Sequence, residues 1–130
     1  MRILIADDNE MVRRRLAGIL AATPNCEVCG QAVDGEEAIQ KAGELLPDLI
    51  LLDICMPGIS GLEAARVLQQ TVPAAKILIM TQHDPIPYLP SALAAGAHAC
   101  MEKSRLGTDL LSSIRSVTES AAAPRIATAG

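Results

Sequence analysis

Short unbroken apolar runs alternate along this chain with stretches in which apolar residues recur every three or four positions. The runs are "RILIAD" (2–7), "CEVCGQAV" (26–33), "DLILLD" (48–53), "KILIMT" (76–81) and a short "HACM" (98–101). Between them, helix-period apolar residues mark Val12, Leu16, Ile19 and Leu20, then Ala38, Ala42, Leu45 and Leu46, then Leu62, Ala65, Leu68 and Val72, and last Leu110, Leu111, Ile114 and Val117. A fourth such segment, near Leu89 to Ala95, is interrupted by Pro85, Pro87 and Pro90, and proline is tolerated only in a helix's first turn.

Alternating strands and helices with unbroken aliphatic strands predict a parallel sheet buried on both faces. Five such strands predict an α/β, flavodoxin-like doubly wound sheet in the order 2-1-3-4-5, with five helices on its two faces. One domain is expected over residues 1–120. The last stretch, "SAAAPRIATAG", loses the periodicity, so 121–130 is expected to be a tail or linker.

Composition narrows the function classes. Half of the 130 residues are hydrophobic, enough for one substantial core, yet Phe and Trp are absent and Tyr88 is the only ring. The net charge is -4 and no basic run exceeds Arg13-Arg14-Arg15, which argues against direct nucleic-acid binding. No apolar run approaches a membrane span, and "MRILIADDNE" is not a signal peptide, so a cytoplasmic protein away from the membrane is expected. The four cysteines fit a reducing compartment as small apolar residues. Cys26 and Cys29 form a C-x-x-C, but inside a strand, where residues three apart face opposite ways. Cys55, Cys100, His83 and His98 supply no second pair for a zinc site.

The polar residues fall at the strand ends. The first run ends in Asp7 and Asp8, the third in Asp53 and the fourth in Thr81; Lys103 follows the fifth. In the expected fold these ends share one edge, beside the crevice where strand order reverses. Taken singly, each has a plainer role: an aspartate at a strand end caps a turn or helix, Thr81 suits a strand, and Lys103 is a solvated charge. Together, three clustered carboxylates repel one another, and a hard divalent cation such as Mg²⁺ relieves them. A lysine and a hydroxyl beside that cation suit phosphoryl transfer, with a carboxylate as nucleophile.

On these residues the chain resembles the receiver domain of bacterial two-component response regulators, and most the branch carrying a LuxR/NarL-type DNA-binding domain. The resemblance covers about residues 1 to 120 through "ILIADDNEMVRRRL", "EVCGQAVDGEEAIQ", "PDLILLDICMPGISGLEAARVL", "KILIMTQHD" and "ALAAGAHACMEKS". It implies a signalling phosphoacceptor, not an enzyme, taking a phosphoryl group on Asp53 from a histidine kinase. Asp8, Asp53 and the Cys55 backbone carbonyl would hold Mg²⁺, and Asp7 would act on it through water. Thr81 and Lys103 would contact the phosphoryl group, with Gln82 and His83 modulating access. Pro57 and Gly61 match the loop after the acceptor. The family's output is transcription through a DNA-binding domain, which this chain lacks, and a homodimer on phosphorylation is expected.

The chain departs from that family where Tyr or Phe usually swings inward three residues before the lysine. That switch position holds Cys100. Gln82 stands where a small residue is usual, and Ser104 where proline is frequent. A degenerate or stand-alone receiver acting by protein contact is therefore the alternative within the fold. A flavin or nucleotide binder would want a Gly/Ser/Thr-rich loop after the first strand, where "ADDNE" is acidic, and no P-loop motif occurs. A metal-dependent phosphatase would want a substrate-capping segment.

Overall fold

The computed structural model describes residues 1–119 and 125–126. Strands β1 (Arg2–Ala6), β2 (Glu27–Ala32), β3 (Leu49–Asp53), β4 (Lys76–Thr81) and β5 (Ala99–Glu102) alternate with helices α1 (Glu10–Ala21), α2 (Gly35–Leu45), α3 (Gly61–Thr71), α4 (Leu89–Ala94) and α5 (Leu106–Glu119). The strands pair in parallel in the predicted order 2-1-3-4-5. The expected tail lies outside the described residues except for Arg125–Ile126. These form a two-residue strand, β6, parallel to β5 at Ala99 and Cys100. The sheet therefore gains a sixth strand from a segment with no periodicity to announce it.

The aliphatic runs are unbroken because both sheet faces are covered. Ile3, Ile5, Leu49, Leu51, Leu78 and Met80 face α1 and α5 with Leu16, Leu20, Leu110 and Ile114. Leu4, Ala6, Ile50, Leu52, Ile77 and Ile79 face the other way, with Ala38, Ala42, Ala65 and Leu68 of α2 and α3. All five residues of β3 are buried, and each buried Leu or Ile contributes about 1.5–3 kcal/mol. Cys26 packs with the first face and Cys29 with the second, as the strand geometry requires, and all four cysteines are free thiols.

Side chains cap α1, α2 and α3. Asn9 accepts from Met11 N and Val12 N, Asp34 from Glu37 N, and Ser60 from Glu63 N. Leu46 departs from its expected core role. It is the C-cap of α2, left-handed at φ 49°, and 63% exposed, because the helix stops one residue before it. Leu111 is 40% exposed, too far round α5 to reach the sheet. The proline-rich segment becomes a 3₁₀ turn, Ile86–Tyr88, followed by a six-residue α4 with Pro90 in its first turn. No helix among the described residues is long and apolar enough to cross a membrane.

Candidate functional site at the carboxyl edge of the sheet

Strand register brings the expected residues together. Ala6 pairs with Leu52, so Asp7 and Asp53 follow at the same level on neighbouring strands. Asp53 pairs with Met80, placing Thr81 one residue further along the next strand, level with Glu102 of β5. Lys103 comes directly after that strand. Strand order reverses between β1 and β3, so the two acids flank the crevice.

Asp7, Asp8 and Asp53 present carboxylate oxygens all within 4.8 Å of one another. Asp7 and Asp53 are buried and Asp8 is exposed, so the cluster has a closed floor and one open side. The Lys103 ammonium lies 2.7 Å from Asp7 Oδ2 and 3.1 Å from Asp53 Oδ2. Apart from that ion pair, the buried Asp7 Oδ2 has no hydrogen-bond partner. The other oxygen, Asp7 Oδ1, accepts from Asn9 N at 2.8 Å. Capping of α1 thus belongs to Asn9, which leaves Asp8 free to face the cluster.

Electrostatics mark Asp53. Burial and then the neighbouring Asp7 raise its pKa to about 6, and Lys103 only partly offsets them. Burial pulls the Lys103 pKa down, but its bonds to Asp7 and Asp53 outweigh that and the net shift is upward. Above pH 6, three carboxylates against one ammonium leave an excess of negative charge. That excess fits a hard divalent cation.

A cavity of about 240 Å³ opens on this edge, lined by Asp8, Asp53, Ile54, Cys55, Thr81, Gln82 and His83. Thr81 is fully buried, and its Oγ1 accepts from His83 N at 3.1 Å, leaving its hydrogen to donate elsewhere. The Cys55 amide donates to Asp53 Oδ1 at 3.3 Å. Gln82 and His83 are exposed on the wall. Cys100 stands apart from this cavity. It is fully buried on the α2–α3 face, in a cluster against which Tyr88 and Leu89 pack. Burial pushes its thiol up to about 11.

Two supports escaped the sequence reading. Arg13 Nη1 donates to the Asp7 backbone carbonyl at 2.8 Å and its Nε to Gln31 Oε1 at 3.2 Å, which ties the acidic turn to α1. Within the Arg13-Arg14-Arg15 run nothing singles it out, although its place in the first turn after the acids was a usable signal. The second is the seat of Gly61. The loop match named this residue, but only the structure gives its reason: the start of α3 rests on the backbone at the end of β3.

The chain matches a family model described as the response regulator receiver domain over residues 3–115. The response regulator GacA of Pseudomonas viridiflava is 39% identical over 117 residues, 90% of this chain and 55% of that protein. The transcriptional regulatory protein LiaR of Bacillus subtilis (strain 168) is 35% identical over 119 residues, 92% of this chain and 56% of that protein. A crystal structure of a LuxR-family two-component response regulator from Aurantimonas sp. SI85-9A1 superposes with a TM-score of 0.84. It is 33% identical, covering 89% of this chain and 83% of that one. The chain spans about half the length of the curated relatives it matches.

Proposed function

The chain belongs to the response regulator receiver family, and on that footing we propose that it is a phosphoacceptor whose Asp53 takes a phosphoryl group in the presence of Mg²⁺. The observation that carries this reading is the convergence of Asp8, Asp53 and Thr81 on one cavity, with Lys103 bridging Asp7 and Asp53 behind it.

The chemistry follows from the charges. An Asp53 carboxylate oxygen attacks phosphorus as the donor's P–N bond, in a phosphohistidine, or P–O bond, in a small acyl phosphate, breaks. The bonding pair leaves with the donor. A pKa near 6 keeps Asp53 mostly ionised at neutral pH and more basic than an ordinary carboxylate. The Lys103 ammonium sits where one phosphoryl oxygen would arrive, and the Thr81 hydroxyl has a hydrogen to give another. Asp8, Asp53 and the Cys55 carbonyl would hold Mg²⁺, with Asp7 acting through water. When bound, this ion neutralises charge on the transferring group. Gln82 and His83 on the cavity wall would set how donors and water approach.

A histidine kinase as donor, a cytoplasmic setting and transcription as output are part of the proposal. So are a DNA-binding domain outside this chain and pairing of two copies on phosphorylation. The half-length coverage of named transcriptional and response regulators supports the output. The complete set of acids, Thr81 and Lys103 favours phosphate control over a degenerate receiver that works by contact alone. Any catalysis would be confined to phosphorylation and dephosphorylation of Asp53 itself. Phosphate-affinity electrophoresis after incubation with acetyl phosphate tests this. A shifted band is expected with Mg²⁺ and none with chelator. Labelling indifferent to chelation would refute the metal-dependent reading.

A further inference from the structure

Asp8 is the exposed member of the acid cluster, and no donor among the described residues holds its carboxylate. The other two acids are pinned: Asp7 by Lys103 and by Asn9 N, and Asp53 by Lys103 and by Cys55 N. The direction of the Asp8 side chain therefore depends on the backbone that carries it. That backbone leaves the sheet at Asp7, whose amide donates to Ala32 O at 3.0 Å. The next group along the chain is the Asp7 carbonyl, which shares one rigid peptide plane with the Asp8 amide. Fixing that carbonyl fixes the plane from which Asp8 projects.

Arg13 is the residue that fixes it. From the first turn of α1 its Nη1 donates to Asp7 O at 2.8 Å and its Nε to Gln31 Oε1 at 3.2 Å. A guanidinium presents both donors in one rigid plane, so the carbonyl is held from β2 as well as from α1. Arg13 makes no ion pair among the described residues, whereas the next residue, Arg14, pairs with Glu10. Its positive charge stands at the acidic turn without covering a carboxylate oxygen, while Lys103 covers two. We infer that Arg13 is a positioning residue: by clamping the Asp7–Asp8 peptide it aims the Asp8 carboxylate into the cluster and leaves both its oxygens open to a cation. This rests on the reading of Asp8 as a Mg²⁺ ligand. A carboxylate aimed in advance loses less freedom when the ion binds, so affinity rises with no added ligand.

The test is Mg²⁺ binding by calorimetry to the full chain and two variants. Arg13→Met should weaken Mg²⁺ about tenfold, the lower end of the usual effect of removing a group that orients a metal ligand. Arg14→Met removes the same charge one residue on, from an exposed pair, and should stay within about twofold of wild type. A second measurement needs no metal. In chelator, the order parameter of the Asp8 amide from NMR relaxation should fall in Arg13→Met from about 0.85, the rigid range, toward about 0.6, while that of the Asp53 amide stays unchanged. An arginine that served general stability alone would lower the urea midpoint without this local loosening. Mg²⁺ affinity within about twofold of wild type in Arg13→Met, an equal loss in Arg14→Met, or an unchanged Asp8 order parameter overturns the proposal. If the wild type itself binds no Mg²⁺, the metal reading of Asp8 fails, and the relaxation result alone decides whether Arg13 holds Asp8.

Discussion

Gly61 sits so close to Asp53 that no side chain fits between them. A Cβ at position 61 would press on the Asp53 carbonyl oxygen, and it would lie 2.8 Å from the Asp53 carbonyl carbon and 2.8 Å from Ile54 Cα. The Gly61 amide also donates to Ile54 O at 2.9 Å. The α3 start and the end of β3 are thus one packed unit. Gly61→Ala is expected to cost about 1–3 kcal/mol in urea denaturation, by overpacking against backbone that cannot give way. It should also reduce phosphorylation by shifting Asp53. An unchanged denaturation midpoint would show that the seat is looser than drawn.

Among the described residues, Lys103 is the only ammonium paired with the buried acids Asp7 and Asp53. Lys103→Met leaves two buried carboxylates without that partner. At pH 8 with chelator present, this variant is expected to lose about 3–5 kcal/mol, the usual cost of removing one partner from a buried pair. Added Mg²⁺ should restore part of the loss by mass action. Thermal unfolding followed by circular dichroism reads both effects, and equal melting of the two proteins at pH 8 would contradict the pairing.

The raised Asp53 pKa fixes the sign of a pH dependence. Folded Asp53 titrates at about 6, against an ordinary value of 3.8. Between those values the folded state binds more protons than the unfolded one, so in chelator stability rises as pH falls from 7 toward 4. Asp53→Asn removes the charge that costs stability at neutral pH. It should stabilise the metal-free protein at pH 7.5 by about 2–3 kcal/mol and flatten this pH slope. A variant less stable than wild type at that pH would reverse the assigned sign.

Cys100 predicts a muted conformational response. It is buried beside Ile79 in the sheet, where receivers of this kind usually carry a ring, and it has little bulk to move. A ligand shifts an equilibrium only by its differential contact with the two states. With beryllofluoride and Mg²⁺, amide chemical shift changes are therefore expected around Thr81, Gln82 and Lys103, with little change through β5. Changes centred on residues 85–89 would transfer the switch to Tyr88. Large changes across β5 and α5 would sink the reduced-switch idea.

The parts of the fold that could be read in advance are those where local pattern and burial agree. Strand β3 reads clearly because both its faces are buried, and the site acids read clearly because they interrupt such strands. The fourth helix was obscured by its prolines, which leave a 3₁₀ turn and six helical residues. Leu46 continues the helical period, but its backbone has already turned left-handed. Sequence could place Lys103 at the acidic edge, yet not decide that Asp7 is its nearer partner, because that depends on the reach of a long side chain across two strands. The Arg13 bond to the Asp7 carbonyl had only its place in the first turn after the acids to announce it, and the β5–β6 pairing is a tertiary contact with no local mark.

Formation of an acyl phosphate on Asp53 can be read by reductive trapping. The full chain is incubated with acetyl phosphate and Mg²⁺, treated with borohydride, which reduces an aspartyl phosphate to homoserine, and mapped by peptide mass spectrometry. Homoserine at position 53 alone, and none when Mg²⁺ is chelated, is the expected result. Homoserine at position 7 or 8, or its absence from 53 while phosphate is still incorporated, would contradict the account.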